Sequence, residues 1–236
     1  MTGSRVVMEK LAENLWLVDG ETVSFLGLPY RTRMTVIRLS DGGLWVHSPV
    51  RHSAELADAL AELGPVRYLV APNALHHLFL KDWQQHCPAA EVYGTTKVMA
   101  KQPDIHFTGE LGNEAMPWQA EINTLMFTGS RVMEEAVFFH RTSTVLLVAD
   151  LVENFSPEAF RPWQRVLARL TGIVAPHGKM PLDWRLSFLF SRRLVRQHLQ
   201  QILAWQPEVL VMAHGEIVRD NATQFLRRAF RWSGLR

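Results

Sequence analysis

The sequence has a single cysteine, Cys87, so no internal disulfide can staple this 236-residue chain, and a reducing compartment suits it. Cys87 lies in Gln85-His86-Cys87-Pro88, which reads as a helix end. No neighbouring motif activates the thiol, so it reads as a half-buried structural residue. A marked excess of either charge is also missing. Charged residues make up 20% and the formal net charge is +2, which gives no reason to expect nucleic acid as the main partner. No stretch approaches the ~20 uninterrupted apolar residues that a membrane span requires. Met1-Thr2-Gly3-Ser4-Arg5 lacks the apolar run of a secretory signal, so a cytoplasmic address is expected. Repeats, low-complexity tracts and Gly/Ser linkers are absent too. One domain over 1–236 is the simplest expectation, and 47% hydrophobic content is enough to build its core.

Short strand-like runs fill the first fifty residues: Leu15-Trp16-Leu17-Val18, Arg33 to Leu39, and Leu44-Trp45-Val46. Ser40-Asp41-Gly42-Gly43 between the last two is a hairpin turn signal. From Ser53 to Leu63 the apolar spacing turns helical until Gly64-Pro65 stops it. Tyr68-Leu69-Val70-Ala71 and a helical stretch around Leu78 to His86 follow. Glu91-Val92-Tyr93 with Thr95 to Lys101 repeats that strand–helix unit, and Ile105 to Pro117 reads as irregular. Strands resume at Glu121–Phe127, Ala136–Phe139 and Thr144–Ala149. Pro157 to Phe190 reads as broken helices, Ser191 to Trp205 as a basic helix, Glu208 to Met212 as a strand and Asn221 to Phe230 as a last helix. Alternation of strand-rich stretches with strand–helix units predicts a layered α/β fold.

The chemistry sits behind the apolar strands. Leu44-Trp45-Val46 ends in His47-Ser48-Pro49, and Tyr68-Leu69-Val70-Ala71 ends in a loop closing with His76-His77. Val145 to Ala149 ends in Asp150, and Val209 to Ala213 ends in His214-Gly215. Carboxyl ends of strands are where α/β folds place their sites. Imidazole and carboxylate are the donors expected for zinc, iron or manganese. Adjacent His76 and His77 serve one metal only if the chain bends there. The bland alternatives are loop histidines bonded to backbone, Asp150 as a helix N-cap and His214 closing a turn. If Ala136–Phe139 and Thr144–Ala149 form a hairpin, antiparallel pairing sets Glu134 or Glu135 level with Asp150, and His140 falls at the far end. Glu135 is thus a candidate additional ligand or base.

This order resembles the metallo-β-lactamase superfamily, whose strand ending in Asp-Thr-Gly, His-x-His-x-Asp-His loop, later Gly-Asp and terminal His-Gly find counterparts in His47-Ser48-Pro49, the loop ending His76-His77, Ala149-Asp150 and His214-Gly215. It resembles in particular a divergent branch known only as a domain of unknown function. The likeness runs from about Leu15 to about Gly215 and implies a four-layer αββα sandwich of two mixed sheets with helices outside. It also implies a reduced site. The first two loop histidines of the family fall on Pro72 and Ala74, and the third ligand of the first metal falls near Arg131, with no histidine at hand. What survives resembles the second site, in which His76, His77, Asp150 and His214 hold one divalent metal, zinc first, with iron or manganese as alternatives, and His47 supports them from behind.

The resemblance implies a metal-dependent hydrolase of an ester, lactone or phosphoester, a small-molecule substrate, with Asp150 or Glu135 orienting the attacking water. The competing readings are an iron-dependent redox enzyme and a binding module with a relic site. Nothing in the sequence sets the oligomeric state. Phe155 to Phe190, a helical insertion at about 155–190, carries Trp163, Trp184 and Phe188 beside Arg185 and Arg193, and is read as core or as a lid. The basic run Phe225 to Trp232 is read as a solvated helix face, with contact to an acidic surface as the alternative.

Overall fold

Asn14, in the left-handed region at φ 57°, turns the chain from β1 (Met8–Ala12) into β2 (Leu15–Phe25), and β2 pairs antiparallel along its length with β3 (Leu28–Arg38). This is a computed structural model that describes residues 7–25 and 28–235. They fall into two compact units, divided between Glu114 and Ala115.

In the first unit, Ser40 to Gly43 closes the expected hairpin from β3 to β4 (Leu44–His47), with Arg38 opposite Leu44. Three strand–helix units follow: α1 (Ala54–Ala61), β5 (Val66–Ala71), α2 (Leu80–His86), β6 (Glu91–Gly94), α3 (Thr96–Lys101) and β7 (Gly109–Glu110). The seven strands lie in sequence order, antiparallel from β1 to β4 and parallel from β4 to β7. Helical crossovers make the parallel part possible, because parallel neighbours cannot be joined by a tight turn. Ser53 starts α1 by accepting the Leu56 N–H at 3.2 Å, and Leu56 and Leu60, one turn apart, face the core. That core joins Val36, Val46, Leu69, Val92 and Trp83, whose indole N–H donates to the Val50 carbonyl at 2.6 Å. Each such aliphatic side chain, fully buried, stabilises by about 1.5–3 kcal/mol.

The second unit carries β8 (Ile122–Phe127), β9 (Glu135–His140), β10 (Val145–Leu147), α4 (Pro162–Thr171), α5 (Leu182–Ser187), α6 (Arg192–Ala204), β11 (Val209–Val211) and α7 (Ala222–Ala229). Its sheet runs β11-β10-β9-β8, parallel at β10–β11 and antiparallel elsewhere. Helix α6 buries Val195, Leu199, Ile202 and Leu203, and α7 buries Ala222, Phe225, Leu226 and Ala229, each set at helical spacing. The run Phe225 to Trp232 therefore turns its apolar stripe inward, so its aromatic and aliphatic side chains belong to the core. Within 155–190 the aromatic residues divide: Phe188 is buried, Trp184 packs partly buried against the core, and Trp163 stands in solvent.

Both sheets are mixed, as expected. β2 and β3 are eleven residues each, longer than their apolar runs, because backbone pairing continues past the irregularity between Asp19 and Thr22, where the polar sequence hides the strand. The two-residue β7 lies in the stretch read as irregular. No helix among the described residues is long and apolar enough to cross a membrane.

Candidate metal centre

In the first unit, β4 delivers His47, and Ser48 then takes a left-handed conformation (φ 50°) while its N–H donates to the Val70 carbonyl at 3.0 Å. This turn brings the Ser48 hydroxyl to 3.1 Å from His76 Nδ1. His76 itself is set by Asn73, a buried residue after β5 whose side-chain oxygen accepts the N–H groups of Leu75 (2.9 Å) and His76 (3.1 Å). A side chain bonded to the backbone two and three residues on is what bends this loop. The Lys101 ammonium pins the far side through the Ala74 carbonyl at 2.8 Å. With Nδ1 of His76 engaged, Nε2 is the ring atom directed elsewhere, an arrangement that orients metal-binding imidazoles.

His77 is buried in the same loop, with its ring against the backbone of Ala74. Its pKa is lowered, first by burial and then by the Lys101 charge, so the ring is held neutral and able to donate a lone pair. His47 is buried as well, stacked beside Trp45 at 5.7 Å between ring centroids. Burial, with His76 as the second cause, pushes its pKa down to about 3. The ring is thus held neutral at the strand end.

In the second unit the decisive feature is register. β10 and β11 pair parallel with Leu147 opposite Val211, and the Val148 N–H continues the ladder to the Val211 carbonyl at 2.9 Å. Asp150 lies three residues beyond Leu147, and His214 three beyond Val211. Equal offsets from paired strands bring the two out level, and His214 Nε2 lies 3.3 Å from Asp150 Oδ1, both residues buried. Gly215 follows at φ +98°, with the Asn154 carbonyl so near that a Cβ there would lie 2.3 Å from it. Only glycine fits both the conformation and the approach, so the His-Gly pair has a steric cause.

Glu135 reaches this level through the antiparallel register of β9, as expected. Its fully buried carboxylate accepts three backbone N–H groups: Ala149 at 2.7 Å, Asp150 at 2.7 Å and Leu151 at 3.1 Å. His140 lies at the opposite end of the strand, paired with Val145.

Two contributors escaped the sequence reading. Ser48 orients His76, and its only signal is its place behind a strand that ends in histidine. Glu153 is a buried carboxyl whose pKa stands well above the usual range because of burial, then the negative charges of Asp150 and Asp183. Nothing local in Leu151-Val152-Glu153 marks it in the sequence.

A further group in the first unit, His52, Asp82 and His86, also brings potential ligand atoms within 4.8 Å of one another. The two imidazoles, however, are stacked at 3.7 Å between centroids with 16° between planes. A metal must lie near the plane of each ring that binds it, and near-parallel stacked planes do not meet at one. The arrangement is therefore poorly suited to a cation.

Known structures place the fold in a class. The chain is similar to the DIM-1 metallo-β-lactamase at 13% identity over 98% of this chain and 99% of that one, with a TM-score of 0.65. It is similar to a metallo-β-lactamase from Hirschia baltica at 12% identity over 98% of each chain (TM-score 0.64). It is also similar to the rubredoxin oxygen:oxidoreductase of the anaerobe Desulfovibrio gigas at 12% identity over 97% of this chain and 62% of that one (TM-score 0.65). The fold class is thus the αββα sandwich of the metallo-β-lactamases, and it carries both lactamases and an oxidoreductase. No curated protein matches the sequence. The chain belongs to the DUF4336 family, a domain of unknown function, whose model matches residues 12–164.

Proposed function

We propose that residues 1–236 act as one metallo-β-lactamase-type domain in which His76, His77, Asp150 and His214 hold a single divalent metal, zinc in the first instance, and that the protein is a hydrolase of a small ester, lactone or phosphoester. The observation that carries this reading is the buried Asp150–His214 pair, 3.3 Å apart at the ends of two in-register strands. The donor set fits the group: imidazole nitrogens and one carboxylate are the ligands of a borderline cation, and Asp150 and His214 present theirs 3.3 Å apart. A divalent ion bound there would supply Lewis acidity toward a carbonyl or phosphoryl group and toward a water.

The chain's own residues supply the rest. Ser48 fixes the ring of His76. Glu135 accepts three backbone N–H groups, so its part is to position the Asp150 loop, and Asp150 is the carboxylate placed to orient a water. His47 stands neutral behind the loop.

The test is elemental analysis of protein purified without added metal or chelator, beside the His76→Ala/His214→Ala variant. About one equivalent of metal per chain in the parent, lost in the variant with an unchanged far-ultraviolet spectrum, is the expected result; equal metal in both would overturn the assignment. Zinc with turnover of ester or phosphoester probes supports hydrolysis, whereas iron with oxygen-dependent turnover moves the protein to the redox reading.

A further inference from the structure

Helix α4 is inside out. Trp163, Val166, Leu167 and Leu170 recur at i, i+3, i+4 and i+7, the spacing of a core-facing stripe, yet they are 61%, 56%, 54% and 76% exposed. The side turned to the protein carries Ala168, the one buried residue of the helix. The next helical stretch repeats the arrangement: Leu182, Leu186, Leu189 and Phe190 again fall at helical spacing, and Phe190 is fully exposed. The stretches are tied together by Arg185, which donates to the Thr171 carbonyl at 2.7 Å. Among the described residues eleven large hydrophobic side chains are exposed; these are eight of them, and Val7, Leu78 and Val132 are scattered elsewhere. A concentration of that kind marks a contact surface.

Charge decides what it meets. Between Pro157 and Arg193 the chain has seven basic side chains against two acidic ones, a surplus of five, where the whole chain has a surplus of two. Arg161, Arg169, Arg192 and Arg193 are exposed, and none takes part in a salt bridge among the described residues. A second copy docking symmetrically would oppose this positive rim to itself. An anionic lipid surface would complement the rim and receive Trp163, Leu170 and Phe190 among its acyl chains, the mode of amphipathic helices lying in the interface plane.

We propose that α4, α5 and the Leu189-Phe190 tip form a docking face for the surface of an anionic bilayer. This face is independent of the metal reading. Its test is flotation of the full chain with vesicles of phosphatidylcholine and phosphatidylglycerol in equal parts, and with phosphatidylcholine alone. The parent floats with the anionic vesicles only, and high salt releases it. Leu167→Glu/Leu170→Glu abolishes flotation, and Arg169→Gln/Arg193→Gln weakens it by roughly tenfold, both with unchanged circular dichroism and metal content. Absence of flotation, equal flotation on neutral vesicles, or a leucine variant that still floats would overturn the proposal. A dimer in sedimentation equilibrium that the leucine variant dissolves, without flotation, would give the face to a second copy.

Discussion

Glu135 shows how much one buried carboxylate can organise. Three N–H groups converge on its two oxygens, and hydrogen bonds to a charged acceptor are worth about 1.5–3 kcal/mol each when one partner is removed. Glu135→Gln turns one of those oxygens into an NH2 facing a donor. It is expected to lower stability to urea by about 3 kcal/mol and to weaken metal retention by loosening Asp150; an unchanged unfolding midpoint would show the bonds to be dispensable. Glu153 makes the opposite kind of contribution. Its folded pKa is raised by burial and by Asp150 and Asp183. Above the ordinary value of 4.5 the unfolded chain releases this proton while the folded chain keeps it, so the stability linked to the group falls as pH rises and is lost through the folded pKa. Glu153→Gln is expected to match the parent below pH 4.5 and to surpass it increasingly toward neutrality, read from urea midpoints across pH. Parallel pH profiles would contradict this. Neither role was legible in the sequence: the place of Glu135 beside Asp150 followed from hairpin pairing, but its three donors are a property of the loop it holds, and Glu153 acquires its character only from the burial of its segment.

At the scale of elements, the pairing of β10 with β11 is what joins aspartate to histidine. Both returns are three residues long from paired positions, so a single alanine inserted between Met212 and Ala213 puts His214 out of step with Asp150. Metal content is expected to fall at least tenfold, while the same insertion in the exposed turn at Arg141-Thr142 leaves it intact; retention by the first variant would mean that register does not set the pair. Elements of this kind were readable. Apolar runs of three to five residues with His or Asp behind them marked β4, β5, β10 and β11, and Ser40 to Gly43 marked the β3–β4 hairpin. The outer halves of β2 and β3 were not, because Asp19, Thr22 and Arg31 break the apolar pattern while their backbones still pair. The stacked His52 and His86 were also hidden, since His52 lies in a loop and His86 at the end of α2, and only the fold brings them together.

For the whole molecule, the order of chemistry-bearing residues along the chain carried the fold class, because His or Asp behind four apolar strands resembles the order of the metallo-β-lactamases. The same order could not assign a substrate, because lactamases and an oxidoreductase share the architecture. Helix α4 was legible as a helix but not in orientation: its apolar spacing reads as a core stripe, and only exposure shows that it faces outward. Since Ala168 is the one buried residue of that helix, its exposed leucines and tryptophan are surplus to native stability. Their exchange for polar residues should leave a chain that folds as before and needs no detergent to stay dispersed, whereas the same substitutions on the inward stripe of α7 would dismantle the protein.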